Sequence, residues 1–382
     1  MMKSILDLPD VRIKDKKILV RVDFNVPWQN GKIADDLRIR KTLPLIRHLI
    51  KKDAKIILIS HLENGEGISS FAGVAKYLKT KYIPRLRFIA DVAGKDTLRH
   101  IDRMRGGDVL LLDNLRKDRR EKNNDRKFSK KLAELADIYV NEAFSVSHRE
   151  HASVVGVPQF LPSYAGPLFL EEVRRLRQAL AAPRPFVLVL GGKKLSTKMG
   201  LLSKLFSRAD KVLIGGAMAN VFLKARGFEV GRSYVEAGVS PDKKILGSVK
   251  LFLPVDAVVL RGNKKCTVTI ENLSFTDAMY DIGPKTIGLF KREMRDSRFI
   301  LWNGPFGVTE KGFVDGSREM ARALARASAE TIVGGGDTIS VLRRYKLLNK
   351  YSFVSTGGGA MLDFLAQGTL PGIEALRSKD RK

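Results

Sequence analysis

Almost every short apolar run in this 382-residue chain ends on residues suited to holding an anion. In the first half those endings carry Arg21, Asp23, Asn25, Ser60-His61, Asp113-Asn114 and Asn141-Glu142, with Arg38, Arg116, His148, Arg149 and His151 nearby in sequence. A guanidinium presents a planar fork to carboxylate or phosphate oxygens. Any one of these Arg residues, taken alone, reads as a surface ion-pair partner; their convergence at strand ends suggests a site for a small phosphorylated acid. In the second half the endings are glycine clusters at 191–192, 215–216, 334–336 and 357–359, and the run Trp302-Asn303-Gly304-Pro305. Glycine permits close backbone approach, and N–H groups at a helix start cradle phosphate. Lys194 and Lys198 add cations, and their spacing of four would put them on one face at a helix start. Asp337 adds a carboxylate able to hold Mg²⁺ and Thr338 a hydroxyl, completing a set that fits a nucleoside triphosphate.

These residues need rigid elements behind them. The runs at 17–22, 55–60, 108–112, 137–140, 186–190, 211–216, 257–260, 298–302, 331–335 and 351–355 are apolar and rich in β-branched residues, with helix-like stretches between them. Continuous apolar runs suit parallel strands covered on both faces, so both halves read as α/β. The expected fold is two Rossmann-like three-layer α/β/α domains with parallel sheets, joined by a helical hinge. In such sheets ligands bind outside the carboxyl ends of the strands. Within 168–182, Leu170, Val173, Leu176 and Leu180 fall at helical spacing, and Pro183 and Pro185 follow. The expected division is 1–165, a hinge helix at 166–182, a second domain at 183–354, and a segment at 355–382 returning to the first domain.

The remaining composition excludes several classes. One cysteine, Cys266, allows neither an internal disulfide nor a multi-cysteine zinc site. No apolar run approaches the roughly 20 residues needed to span a bilayer, and no signal-like start is present, so a cytoplasmic protein without membrane contact is expected. A P-loop, a G-x-G-x-x-G fingerprint, H-E-x-x-H, G-x-S-x-G and the protein-kinase H-R-D set are all missing. The formal net charge of +28 favours anionic partners. Its densest stretch, 116–131, holds nine basic and three acidic residues with almost no aromatic rings for bases to stack on. A solvated helix face is the favoured reading there, and nucleic acid the disfavoured one.

Taken in order, RVDFNVP (21–27), DDLRI (35–39), SHL (60–62), NLR (114–116), VNEAF and HREHAS (140–153), GGKKLSTK (191–198), GGAM (215–218), DIGPKT (281–286), WNGPFGVTE (302–310), GGGDT (334–338), STGGGA (355–360) and LPGIEAL (370–376) resemble phosphoglycerate kinases over essentially the whole chain. No single motif is specific; the ordered set is. The resemblance implies a monomeric, hinge-bending enzyme that moves a phosphoryl group between 1,3-bisphosphoglycerate and ADP, giving ATP and 3-phosphoglycerate, with Mg²⁺. It implies that Asp23, Phe24, Asn25, Arg38, His61, Arg116, His148 and Arg149 hold the triose. Arg38, Lys194 and Lys198 would act on the transferring phosphoryl group. The nucleotide would meet Lys198, Gly215, Gly216, Gly283, Asn303, Pro305, Glu310, Gly335, Gly336, Asp337, Thr338, Gly357 and Gly358, with Asp337 on the metal. The competing reading is a weakened or inactive scaffold that binds a polyanion such as nucleic acid.

Four stretches depart from the family pattern. SHLGRP is replaced by SHLENGEG, which substitutes Glu63-Asn64-Gly65 for Gly-Arg-Pro and brings in Glu66. GGAK becomes Gly191-Gly192-Lys193-Lys194, SDK becomes Ser196-Thr197-Lys198, and DAFGTAHR becomes the run from Glu142 to Arg149. Loss of a phosphate-binding cation would weaken triose binding by about 1.5 to 3 kcal/mol, and the acidic replacements would repel an anion.

Overall fold

The computed structural model describes residues 2–63, 70–262 and 264–377, so the departures at Asn64, Gly65 and Glu66 lie outside the described residues. Contacts divide the chain into two units, 1–174 with 369–382, and 175–368.

The first unit is built on six strands, in spatial order Leu86–Ile89, Val109–Leu112, Lys55–Ile59, Lys17–Arg21, Ile138–Asn141 and Ser163–Ala165. Every pairing is parallel. The strands Val109–Leu112 and Ile138–Asn141 are buried at every residue, as expected where helices cover both faces. The helix Leu37–Lys51 directs Ile39, Leu43, Leu45, Ile46 and Leu49 into this core, which fixes Arg38 on its first turn.

The second unit carries a second parallel sheet in the order Leu251–Phe252, Lys211–Ile214, Phe186–Leu190, Phe299–Asn303, Glu330–Gly334 and Phe353–Ser355. The run at 257–260 does not join it. It lies in the strand Asp256–Arg261, which pairs antiparallel with Lys264–Thr269 and Met279–Ile282 in a separate three-stranded sheet. Exposure along that strand varies, as suits a sheet open on one side.

The expected helix at 168–182 is Pro167–Leu180, with proline at its first position, where the missing N–H costs nothing. The boundary between the two units falls inside it, at Arg174 and Arg175. The expected return over 355–382 is shorter in the structure. The helix Gly359–Gln367 belongs to the second unit, and only the chain from Thr369 joins the first. There the helix Pro371–Leu376 buries Ile373 and Leu376, and Gly372 donates its N–H to the Ser147 carbonyl at 2.8 Å.

Candidate active site

In the first unit the charged groups occupy two depths. Arg21 is fully buried, donating from Nε to Ser153 Oγ (2.9 Å), from Nη1 to the Val22 carbonyl (2.5 Å) and from Nη2 to His61 Nδ1 (3.2 Å). Because a guanidinium only donates, His61 must accept at Nδ1 and carry its proton on Nε2. Burial, reinforced by Arg21, holds the His61 pKa well below its usual value, so the ring is neutral near pH 7. Ser153 also donates from Oγ and from its N–H to the buried carboxylate of Glu121, at 2.5 and 3.0 Å. Burial pushes Glu121 up, with Arg21 opposing. Arg21 is thus a scaffold for the site rather than an open anion ligand. His151, 3.9 Å from Glu121, belongs to the same layer.

Above that layer sit groups that can reach a ligand. Asp23 accepts from Arg38 Nη1 at 2.9 Å, from the Asn25 N–H at 3.0 Å and from the Ser145 hydroxyl. Burial alone would raise its pKa; Arg38 and the hydrogen bonds from Ser145 and the Asn25 N–H outweigh this and hold it ionised. Arg38 Nη1 also donates to the Asn25 carbonyl at 2.9 Å. Arg116 is 6% exposed at its side chain, and burial, then Arg149 and Arg21, push its pKa down to about 10. Its Nε and Nη2 have no hydrogen-bond partner among the described residues, leaving two buried donors available to an anion. Arg149 Nε lies 3.3 Å from His148 Nε2. Phe24 differs from the others: its ring is fully buried in the core, and only its backbone, bonded to Ser60 Oγ at 3.0 Å, borders the site.

The second unit holds a cavity of about 360 Å³ lined by Lys194, Lys198, Asn303, Pro305, Gly335, Gly336, Asp337, Thr338 and Gly358, together with Gly192, Lys193, Thr197 and Leu362. Six of its lining residues, Gly192, Gly304, Gly335, Gly336, Gly358 and Gly359, present only main chain to it. Gly192 donates its N–H to the Pro305 carbonyl (2.6 Å), and Gly304 donates to Thr338 Oγ1 (2.9 Å), so any bond from Thr338 to a phosphate uses its own proton. Gly304 has φ +96°, and a Cβ there would fall 2.2 Å from the Gly191 carbonyl oxygen, so only glycine fits. Gly335, at φ +101°, opens the helix Gly336–Arg344 and exposes first-turn N–H groups. Asn303 Nδ2 is buried without a partner among the described residues, a further donor for a ligand oxygen. Lys198 is 7% exposed, and burial lowers its pKa against the pull of Asp337. The expected shared helix face of Lys194 and Lys198 is instead a 3₁₀ turn, Ser196–Lys198, anchored by Glu236, which accepts from Ser196 N (3.0 Å) and Oγ (2.5 Å).

An adjoining cavity of about 390 Å³ shares Gly192, Lys193, Pro305 and Asp337, and is lined further by Gly216, Tyr234, Tyr280, Phe306 and Glu310. Lys193, the extra cation of the departed motif, stands 4.8 Å over the Tyr234 ring. Three expected glycines line neither cavity. Gly215 packs against the Phe306 ring, where a Cβ would meet it at 2.3 Å; Gly283 packs against the Asp256 carboxylate; and Gly357 is buried beside Gly358. The aromatic lining was not legible in advance, because Tyr234 lies in no strand and the strand holding Tyr280, Met279–Ile282, is too polar to stand out as an apolar run.

Among the described residues no three His, Cys, Asp or Glu side chains cluster as a metal cage. A lone Asp337 carboxylate at the mouth of a phosphate cradle suits Mg²⁺, which is commonly held by one or two carboxylates and substrate phosphates. No helix among the described residues is long and apolar enough to cross a membrane.

Two parallel α/β units, one with a cationic pocket and one with a main-chain phosphate cradle, define a phosphate-handling protein of the phosphotransferase class. The phosphoglycerate kinase family model matches residues 8–368, and the chain belongs to that family. It is 43% identical over 393 residues to the phosphoglycerate kinase of Dictyoglomus turgidum, covering 99% of each chain, and 42% identical over 386 residues to that of Pelotomaculum thermopropionicum, covering 97% of this chain and 98% of that one. Among solved structures, phosphoglycerate kinase from Coxiella burnetii matches with a TM-score of 0.82 at 36% identity over 99% of this chain and all of that one. The enzyme from Pyrococcus horikoshii OT3 matches at 0.88 and 30% identity over 98% of each.

Proposed function

We infer that the chain catalyses reversible phosphoryl transfer from 1,3-bisphosphoglycerate to ADP, giving ATP and 3-phosphoglycerate. The observation carrying this reading is the pairing of family membership over residues 8–368 with one anion site in each unit. In the first unit Asp23 and Asn25 hold the hydroxyl and carboxyl end of the triose, while His61, Arg116, His148 and Arg149 surround its non-transferred phosphate. Arg38, oriented by Asp23, and Lys194 neutralise charge on the transferring group, and Lys198 grips the nucleotide phosphates. The phosphates lie in the glycine cradle, with the nucleoside beside Tyr234, Pro305 and Glu310. Mg²⁺, held by Asp337, supplies charge neutralisation on the phosphate oxygens when bound.

No covalent nucleophile is required, because positioning and charge stabilisation carry this chemistry. With triose and nucleotide held by different units, transfer requires the units to close around the helix Pro167–Leu180 and exclude water. The protein acts as a cytoplasmic monomer. The test is ADP formation from ATP, Mg²⁺ and 3-phosphoglycerate by purified protein, with Asp337→Ala in parallel. Turnover lost in that variant supports the reading, and a wild type with no turnover at any substrate concentration refutes it.

The polyanion-scaffold alternative is not favoured. Within the densest basic stretch Arg116 pairs with Glu63, Lys117 with Asp113, Arg120 with Asp118 and Lys130 with Glu134, which spends much of its charge internally.

A further inference from the structure

We propose that Glu63 is a built-in counter-anion of the cationic pocket, one that the phosphate end of the substrate must displace and that thereby sets the pocket's affinity for phosphate. The proposal rests on the reading that Arg116 and Arg149 hold the non-transferred phosphate. Glu63 follows the Ser60-His61-Leu62 run beyond the end of the strand Lys55–Ile59. Its Oε2 pairs with Arg116 Nη1 and lies 3.9 Å from Arg149 Nη1, while Oε1 lies 3.7 Å from Lys122 Nζ. One carboxylate therefore spans three cations, two of which are assigned to the ligand.

Its anchoring separates a fixed base from a movable head. The Glu63 N–H donates to Asn25 Oδ1 at 3.0 Å, and the preceding Leu62 is held on both backbone groups by the Asn114 amide, each at 3.0 Å. The side chain is 55% exposed, so the carboxylate can rotate into water without disturbing buried structure. Glu121 is the contrast: it is fully buried, bonded twice to Ser153, and has nowhere to go. Among the described residues Arg116 Nε and Nη2 have no partner even with Glu63 in place, so the carboxylate leaves much of the fork unsatisfied. A phosphate dianion, with more charge and more acceptor oxygens, is the better partner for that fork. Two anions cannot share it, so ligand binding includes the loss of the Glu63 pairs. Weakly charged anions lose that exchange and a phosphate monoester wins it, so Glu63 also makes the pocket more selective.

The experiment titrates full-length wild type, E63Q, E63A and the control E134Q with two separate probes, inorganic phosphate and 3-phosphoglycerate, by calorimetry at low and at 0.3 M salt. Glu134 is an exposed carboxylate of the same unit, paired with Lys130 at 4.0 Å. Removing an exposed carboxylate that bridges several cations is worth roughly three- to tenfold in Kd. E63Q and E63A are expected to tighten both probes by that factor, less so at high salt, and to lower the KM for 3-phosphoglycerate in step, with E134Q matching wild type. Unchanged or weakened binding of both probes in E63Q and E63A would overturn the proposal and make Glu63 an organiser of the pocket. Tighter inorganic phosphate in E63Q, in a protein that neither binds nor turns over 3-phosphoglycerate, would overturn the kinase reading while supporting the counter-anion.

Discussion

Replacing Glu142 with glutamine should stabilise the first unit, by an amount that grows with pH. Glu142 ends the strand Ile138–Asn141, is 1% exposed, and accepts from the N–H groups of Leu168 and Phe169 at 3.2 and 3.5 Å, in the first turn of the helix Pro167–Leu180. Burial pushes its pKa up to about 8, and the two N–H groups only partly offset this. Its folded pKa therefore lies above the unfolded one. Below about pH 4.5 both states are protonated and nothing is lost. As pH rises the unfolded chain releases the proton while the folded chain keeps it, so stability falls steadily until about pH 8 and then levels off. At pH 7 this loss is about 3 kcal/mol, from 1.36 kcal/mol for each unit of pH crossed. Glutamine keeps the shape and an acceptor oxygen but does not titrate.

The E142Q advantage over wild type should thus be near zero at pH 4.5 and about 2 to 3 kcal/mol at pH 7. With a slope of about 2 kcal/mol per molar urea, the midpoint moves up by roughly 1 to 1.5 M. The chain has two tryptophans, Trp28 in the first unit and Trp302 in the second. Urea unfolding followed by fluorescence in a Trp302→Phe background therefore reports the first unit alone. A difference that does not change with pH would refute the reasoning, and would mean that Glu142 is ionised inside the fold, stabilised by the helix N-terminus.

Arg38→Ala should lower kcat by about 10² to 10³ in steady-state assays, since it removes charge from the transferring group and leaves Asp23 without its 2.9 Å partner. Arg38→Lys should recover only part of that loss, because the fork geometry is missing. Arg116→Met should raise the KM for 3-phosphoglycerate by roughly 10- to 100-fold, the scale of a charged hydrogen bond, with little change in the KM for ATP. Asp337→Asn should raise the Mg²⁺ concentration for half-maximal rate, read from a magnesium titration at fixed ATP. Gly304→Ala should lower the melting temperature of the second unit and weaken ATP binding together, because its Cβ would strike the Gly191 carbonyl; calorimetry measures both.

Much of the architecture was legible because parallel strands buried on both faces leave continuous apolar runs, as at 17–22 and 186–190. Pairing direction leaves no such mark. The run at 257–260 has the same composition and belongs to an antiparallel sheet, while Ser163–Ala165 and Leu251–Phe252 are too short to register as runs. At the site, charged residues at strand ends were readable because the crevice lies there in any such fold. Glycines were ambiguous: Gly304 serves the cavity, whereas Gly215 and Gly283 serve packing against Phe306 and Asp256, and only three-dimensional neighbours separate the two roles. The partners of Glu63 depend on the path of a loop, which no spacing encodes.

The cradle made by Gly192, Gly304 and Gly335 consists largely of peptide groups, which neither titrate nor oxidise and carry no side chain for substitution to exchange. Those main-chain donors are therefore indifferent to pH and to redox chemistry but intolerant of any added Cβ, as at Gly304, so variation in nucleotide preference across descendants of this sequence is expected at the aromatic and charged rim of Lys193, Tyr234 and Tyr280.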